Sequence, residues 1–200
     1  MKISIEKLQA QDPQLRGLEK LYYASFPDYE AKPFEMIVNG VKEGRMDSYI
    51  LKAAKEKETE LKPAGLAFLI KGKDIMLLDY LAINPDFQSG GLGSRMIKEL
   101  SSIYDQPLII EIESTNLDIK PEDQDQRERR KSFYIRNGFF DCNQEIELFG
   151  VQMELMSTHR PIAYPEYFDL LDQYLQAYQI SASDNICFLS QDRKSESQKK

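Results

Sequence analysis

Residues 78–96, LDYLAINPDFQSGGLGSRM, carry the densest chemical content of the chain. An apolar run ends at Asn84-Pro85. Gln88-Ser89-Gly90-Gly91-Leu92-Gly93 then leads into an amphipathic helical pattern. This arrangement makes an anion site. The first turn of a helix leaves backbone N–H groups unpaired and carries the positive end of the helix dipole. Glycines let a phosphate come close to the main chain. Two other phosphate loops do not fit. A Walker loop ends in Gly-Lys-Ser/Thr, which is absent, and a dinucleotide fingerprint needs a third glycine after Gly91 and Gly93, where only Met96 follows.

Carboxylates in apolar surroundings are the second signal. Asp79 sits inside the run 75–83, and Glu111 and Glu113 lie in or beside LIIEIES. A carboxylate in such a place is costly unless it is paired or working. Strand alternation puts Glu111 and Glu113 on one face. Each of the three either joins an acidic pocket that orients a cationic amine and takes its proton, or pairs with a base such as Arg129 or Arg130. A third signal is Phe133-Tyr134-Ile135-Arg136-Asn137-Gly138-Phe139, an aromatic pair on a helix that stops at glycine. His159, the only histidine, reads as a surface loop residue. Tyr164, Tyr167, Tyr174 and Tyr178 read as the packing of a terminal helix. Cys142 and Cys187 have no metal spacing and read as buried thiols of a reducing compartment.

The elements that must position these residues follow from periodicity. Ile3 and Ile5 alternate as in a strand. Asp12-Pro13 opens a helix with Leu15, Leu18, Leu21 and Tyr22 on one face, stopped at Ser25-Phe26-Pro27. A second helix runs from Pro33 to Gly44. Strands are expected at 49–51, 65–70 and 75–83, the last long and apolar enough to be central. A helix with Leu92, Met96, Leu100 and Ile103 on its apolar face follows, then a buried strand at 108–112. Residues 114–126 read as a loop, a helix begins near Arg127, and two strands follow from Phe139 to Met156. Residues 164–178 repeat as a helix. The order predicts a mixed α/β sheet with helices on both faces.

Gln88, Gly91 and Gly93 meet the Q/R-x-x-G-x-G/A motif of the GNAT N-acetyltransferases in full. Residues 79–85, DYLAINP, resemble that family's fourth strand, and Phe133-Tyr134 with Gly138-Phe139 resembles a second family feature downstream. The resemblance covers roughly residues 2–156. It implies a central, mostly antiparallel sheet whose fourth and fifth strands splay apart to admit the pantetheine arm of acetyl-CoA. The backbone of Leu81, Ala82 and Ile83 would pair with that arm. The N–H groups from Gln88 through Ser89, Gly90, Gly91, Leu92, Gly93 and Ser94 would hold the pyrophosphate. Tyr134 would stand near the thioester sulfur as general acid, with Asp79 or Glu111 as base. Glu30, in the loop after the first helix, would line the acceptor site with Asp79, Glu111 and Glu113. Gln88 replaces the commoner arginine and Ser89-Gly90 brings no lysine, so backbone amides and the helix dipole would hold the pyrophosphate.

Composition bounds the partners. Twenty-six basic against 33 acidic residues give a net charge of −7, a field that disfavours nucleic acid and anionic lipid and favours a cationic acceptor such as a polyamine or an aminosugar. The start of the chain has no apolar signal region, and no run is long enough to span a membrane. The expected protein is a cytoplasmic enzyme, a monomer or homodimer without a metal. It consists of an acyltransferase domain over 1–156, a helical extension over 157–189 packed on it, and a disordered tail over 190–200. It takes acetyl from acetyl-CoA and passes it to a primary amine of a small, cationic molecule. The alternative is a non-catalytic acyl-CoA sensor or interaction module with the same fold.

Overall fold

A computed structural model describes residues 1–27, 30–55, 58–88, 90–115 and 121–190. The chain divides into two compact units, Met1–Gln106 and the remainder from Pro107.

In the first unit β1 (Lys2–Leu8), β2 (Met46–Ala54), β3 (Lys62–Lys71) and β4 (Met76–Ile83) pair antiparallel in chain order. The apolar runs of β2 to β4 are the core, with Leu51, Leu66, Phe68, Leu69 and Leu77 fully buried. Asp12 accepts the N–H of Gln14 at 2.9 Å and starts a helix at Pro13. The single helix expected there is two: α1 (Pro13–Gly17) and α2 (Glu19–Ser25). Gly17, a weak helix former, sits at the break. After α2, α3 (Phe34–Lys42) precedes β2, and Gly44 past its end takes φ +75°. α4 (Leu92–Ile103) follows β4. Ile103 is 47% exposed, whereas Ile97 is buried. The apolar stripe of α4 therefore runs through Leu92, Met96, Ile97 and Leu100 and leaves out Ile103.

Helices cover both faces of this sheet. Tyr49 stands opposite Ala67, and Phe68 stands opposite Ser48 and Tyr80, so Tyr49 and Phe68 point to opposite sides. Tyr22 of α2 packs on the Phe68 and Tyr80 side. Tyr104, directly after α4, meets Tyr49 on the other.

In the second unit β5 (Leu108–Glu113), β7 (Val151–Ser157), β6 (Phe140–Leu148) and β8 (Ile186–Ser190) pair antiparallel in that spatial order. β6 and β7 form a hairpin over Phe149 (φ 49°) and Gly150 (φ 80°), the double left-handed turn that suits strand twist. α5 (Pro121–Arg136) starts before Arg127, within the stretch expected to be loop. Its first two turns, PEDQDQRE, are polar all round, so no apolar period marks them. α6 (Tyr164–Gln176) matches the terminal helical pattern, and its Tyr167 and Tyr174 are buried. The stretch after Ser157 is not helical throughout, because β8 closes it. The expected tail lies outside the described residues from 191 onward. Cys142 is buried, but Cys187, on the edge strand, is exposed. No helix among the described residues is long and apolar enough to cross a membrane.

Candidate functional site

The residues that carry chemistry divide between the units. In the first, Asn84 leaves β4 and accepts the N–H of Asp86 at 3.0 Å, capping a 3-10 turn, Pro85–Phe87. The loop then reaches Gly91, whose φ of +68° only glycine adopts without strain. A Cβ added there would meet nothing within 4 Å, so the main chain at the helix start faces open space. Among the described residues no side chain caps α4, and its first turn holds no acid. The first-turn N–H groups, at Leu92, Gly93 and Ser94, have no intrahelical acceptor. The residues present fit a phosphate: first-turn donors, the positive helix end and an open backbone at Gly91. Ser89, named with this loop, lies outside the described residues. Of the strand positions named for the pantetheine arm, Ala82 is buried and Leu81 and Ile83 are half-buried.

Asp79 occupies a β-bulge. Phe68 pairs with Tyr80 and Leu69 with Leu78, which leaves Asp79 as the extra residue of β4. Bulges re-aim side chains and recur beside active sites. The Asp79 carboxylate accepts from Lys32 Nζ at 2.8 and 2.9 Å, and its side chain is only 6% exposed. Its charge is thus matched by an internal ammonium. The segment around Lys32 is pinned by tyrosine hydroxyls as well. Tyr80 donates to the carbonyl of Glu30 at 2.8 Å and accepts the N–H of Lys32 at 3.2 Å, while Tyr22 donates to the carbonyl of Lys32 at 3.1 Å. Burial, with the Asp79 charge adding to it, holds the Tyr80 phenol far above the ordinary tyrosine range. Glu30 itself is exposed.

In the second unit Tyr134 lies two residues before the end of α5. Its ring meets Phe133 at 5.2 Å and Phe139 at 5.4 Å, both edge-on. Burial pushes its phenol up to about 12, with nearby Arg130 opposing the shift. No described residue hydrogen-bonds the hydroxyl. Glu113 is held by Arg127 at 3.0 Å and Arg130 at 2.9 Å. Glu111 accepts from the hydroxyl of Tyr167, a fully buried residue of α6, at 2.5 Å. Tyr167 gave no signal as a partner, because a helical aromatic period reads as packing. A further charged cluster also escaped the sequence. Lys131 pairs with Glu154 and, at 3.2 Å, with Asp141, and Thr115 donates its N–H and hydroxyl to Glu154. Burial opposes the charge on Lys131, but the two carboxylates outweigh it and hold its pKa above the usual lysine value. His159 is an exposed loop residue, as its sequence position suggests.

No family model matches the chain, and no curated protein sequence does. Solved structures do. A protein described as a GNAT-family acetyltransferase from Bacteroides thetaiotaomicron superposes with a TM-score of 0.67 at 19% identity, over 89% of this chain and 99% of its own. The ribosomal-protein-S18-alanine N-acetyltransferase of Escherichia coli gives 0.56 at 18%, over 81% and 96%. NAA60 of Arabidopsis thaliana, solved with a bisubstrate analogue, gives 0.56 at 14%, over 78% and 98%. The chain has the fold of the GNAT acetyltransferases.

Proposed function

We propose that the protein is an N-acyltransferase that takes an acetyl group from acetyl-CoA and passes it to a primary amine by direct attack. The observation that carries this reading is the glycine loop after β4: Gly91 in the left-handed region, open space beside it, and a helix start that no described side chain caps. These fit the pyrophosphate of CoA. The likeness of fold supports the reading, as do the two sequence motifs.

Acetyl-CoA supplies the activated acetyl group. First-turn N–H groups of α4 bind its pyrophosphate, and the main chain of Leu81, Ala82 and Ile83 pairs with the pantetheine arm. Tyr134 donates a hydrogen bond to the sulfur as the C–S bond breaks and the N–C bond forms. Glu111, oriented by the Tyr167 hydroxyl at 2.5 Å, is taken as the base. It accepts the amine proton directly or through water while Tyr167 fixes its orientation. The net charge of −7 favours a small cationic acceptor.

The test couples binding to turnover. Calorimetry should show the parent chain binding CoA and Gly91→Gln, which strains the backbone and fills the approach to the loop, binding far more weakly. Thiol release from acetyl-CoA over a panel of polyamines, aminosugars and neutral amines should then rise with the cationic acceptors. Binding without thiol release on any amine would favour a sensor, and a Gly91→Gln variant that binds like the parent would place the cofactor elsewhere.

A further inference from the structure

We propose that Lys55 supplies the cation that the glycine loop lacks and closes its ammonium on a phosphate of the CoA nucleotide; this rests on the cofactor reading above. Residues 88–94, QSGGLGS, contain no basic side chain; the first to follow is Arg95, exposed on the first turn of α4. The helix end offers roughly half a positive charge. Against it stand a pyrophosphate and a 3′-phosphate, brought to a chain of net charge −7. A local cation has to offset that repulsion.

Lys55 directly follows β2, and its ammonium stands 5.3 Å from the centre of the Phe87 ring. Phe87 ends the 3-10 turn that feeds the loop, and its carbonyl lies 3.6 Å from where a Cβ on Gly90 would sit. The ammonium therefore stands on the ring of the residue that leads into the loop. Two lysines of this sheet are committed to carboxylates, Lys52 to Glu6 at 2.6 Å and Lys7 to Asp47 at 2.8 Å; Lys2, opposite Ala54, is exposed. Lys55 is exposed and makes no ion pair among the described residues. A cation–π contact at an exposed site is weak, whereas a charge-assisted bond to phosphate is strong. The flexible lysine stem lets the ammonium leave the ring for the phosphate.

The experiment is calorimetry of the full chain with CoA and with 3′-dephospho-CoA. The variants are Lys55→Met, Lys55→Arg and Lys73→Met. Lys73, in the turn before β4, is exposed and lies at the end of that strand away from the loop. Lys55→Met should weaken CoA binding about five- to tenfold at low salt, and the difference should shrink at high salt. Lys55→Arg should bind like the parent, and so should Lys73→Met, although it removes the same net charge. A loss with both ligands assigns the contact to the pyrophosphate, and a loss with CoA alone assigns it to the 3′-phosphate. Lys55→Met binding CoA within about twofold of the parent, or Lys73→Met losing as much, overturns the role of Lys55 and leaves the cofactor reading standing. A parent chain that binds neither ligand overturns both.

Discussion

Burial around Tyr134 changes what its hydroxyl does in the proposed reaction. A free thiol ionises near 8.5, and the Tyr134 phenol is pushed up to about 12. Full proton transfer to a departing thiolate is then uphill by roughly three to four pKa units. The phenol stays protonated at every working pH and stabilises the sulfur by donating a hydrogen bond as charge develops there. Tyr134→Phe keeps the edge-on ring contact with Phe139 and removes only that donor. It should lower kcat about 10- to 100-fold, within the range of such donors, and leave CoA affinity nearly unchanged, because the contact strengthens only in the transition state. Steady-state kinetics beside calorimetry will separate the outcomes: an unchanged kcat makes Tyr134 a packing residue, and lost CoA binding makes it a ligand contact. Tyr134 was legible in the sequence because the local pattern Phe133-Tyr134 with Gly138-Phe139 contains it. The partners of the acids were not. Tyr167 lies 56 residues from Glu111 and Lys32 lies 47 from Asp79. Neither distance leaves a trace in local composition.

At the scale of the element, the same motif is a helix terminator. Gly138 takes φ +88° and its N–H reaches the carbonyl of Ile135 at 3.1 Å. The N–H of Phe139 reaches the carbonyl of Tyr134 at 3.1 Å, and the two rings touch. These two bonds and the apolar contact define a Schellman cap, so the glycine that ends α5 also fixes where Tyr134 stands. A Cβ at Gly138 would meet nothing within 4 Å, so the cost of Gly138→Ala is purely conformational. That substitution should destabilise the fold by about 1–2 kcal/mol, read from urea unfolding. A variant as stable as the parent would mean that the cap does not hold the helix end. Elements with such punctuation were legible. Asp12-Pro13 marked the start of α1, and Gly44 and Gly138 marked the ends of α3 and α5. Elements without it were not. The first turns of α5 lack an apolar face, and β8 is five residues whose strand character depends on pairing with β6.

Across the whole molecule, buried phenols tie stability to alkaline pH. Burial raises the pKa of Tyr22, Tyr49, Tyr80 and Tyr104 in the first unit and of Tyr134 in the second. Tyr104 is further constrained because it donates to Asp47 at 2.5 Å and lies 2.8 Å from the Tyr49 hydroxyl, so its phenolate would stand against a carboxylate. In the unfolded chain these phenols ionise near 10, while in the folded chain they remain protonated. Above that pH the unfolded state binds fewer protons than the native state, and stability falls as pH rises. The contribution is fully present below about pH 10. For Tyr134 it is lost as pH rises toward about 12, and for Tyr80 and Tyr104 the loss continues beyond. Lysine deprotonation acts in the same window, so a single variant must isolate the tyrosine part. Tyr104→Phe should be less stable than the parent near neutral pH, because it loses its hydrogen bonds to Asp47 and Tyr49. Its stability should nevertheless decline less steeply above about pH 10, bringing the two chains together in strong alkali. Urea midpoints measured across that range decide the matter: parallel declines would show that the Tyr104 proton contributes nothing to the alkaline limit of the fold.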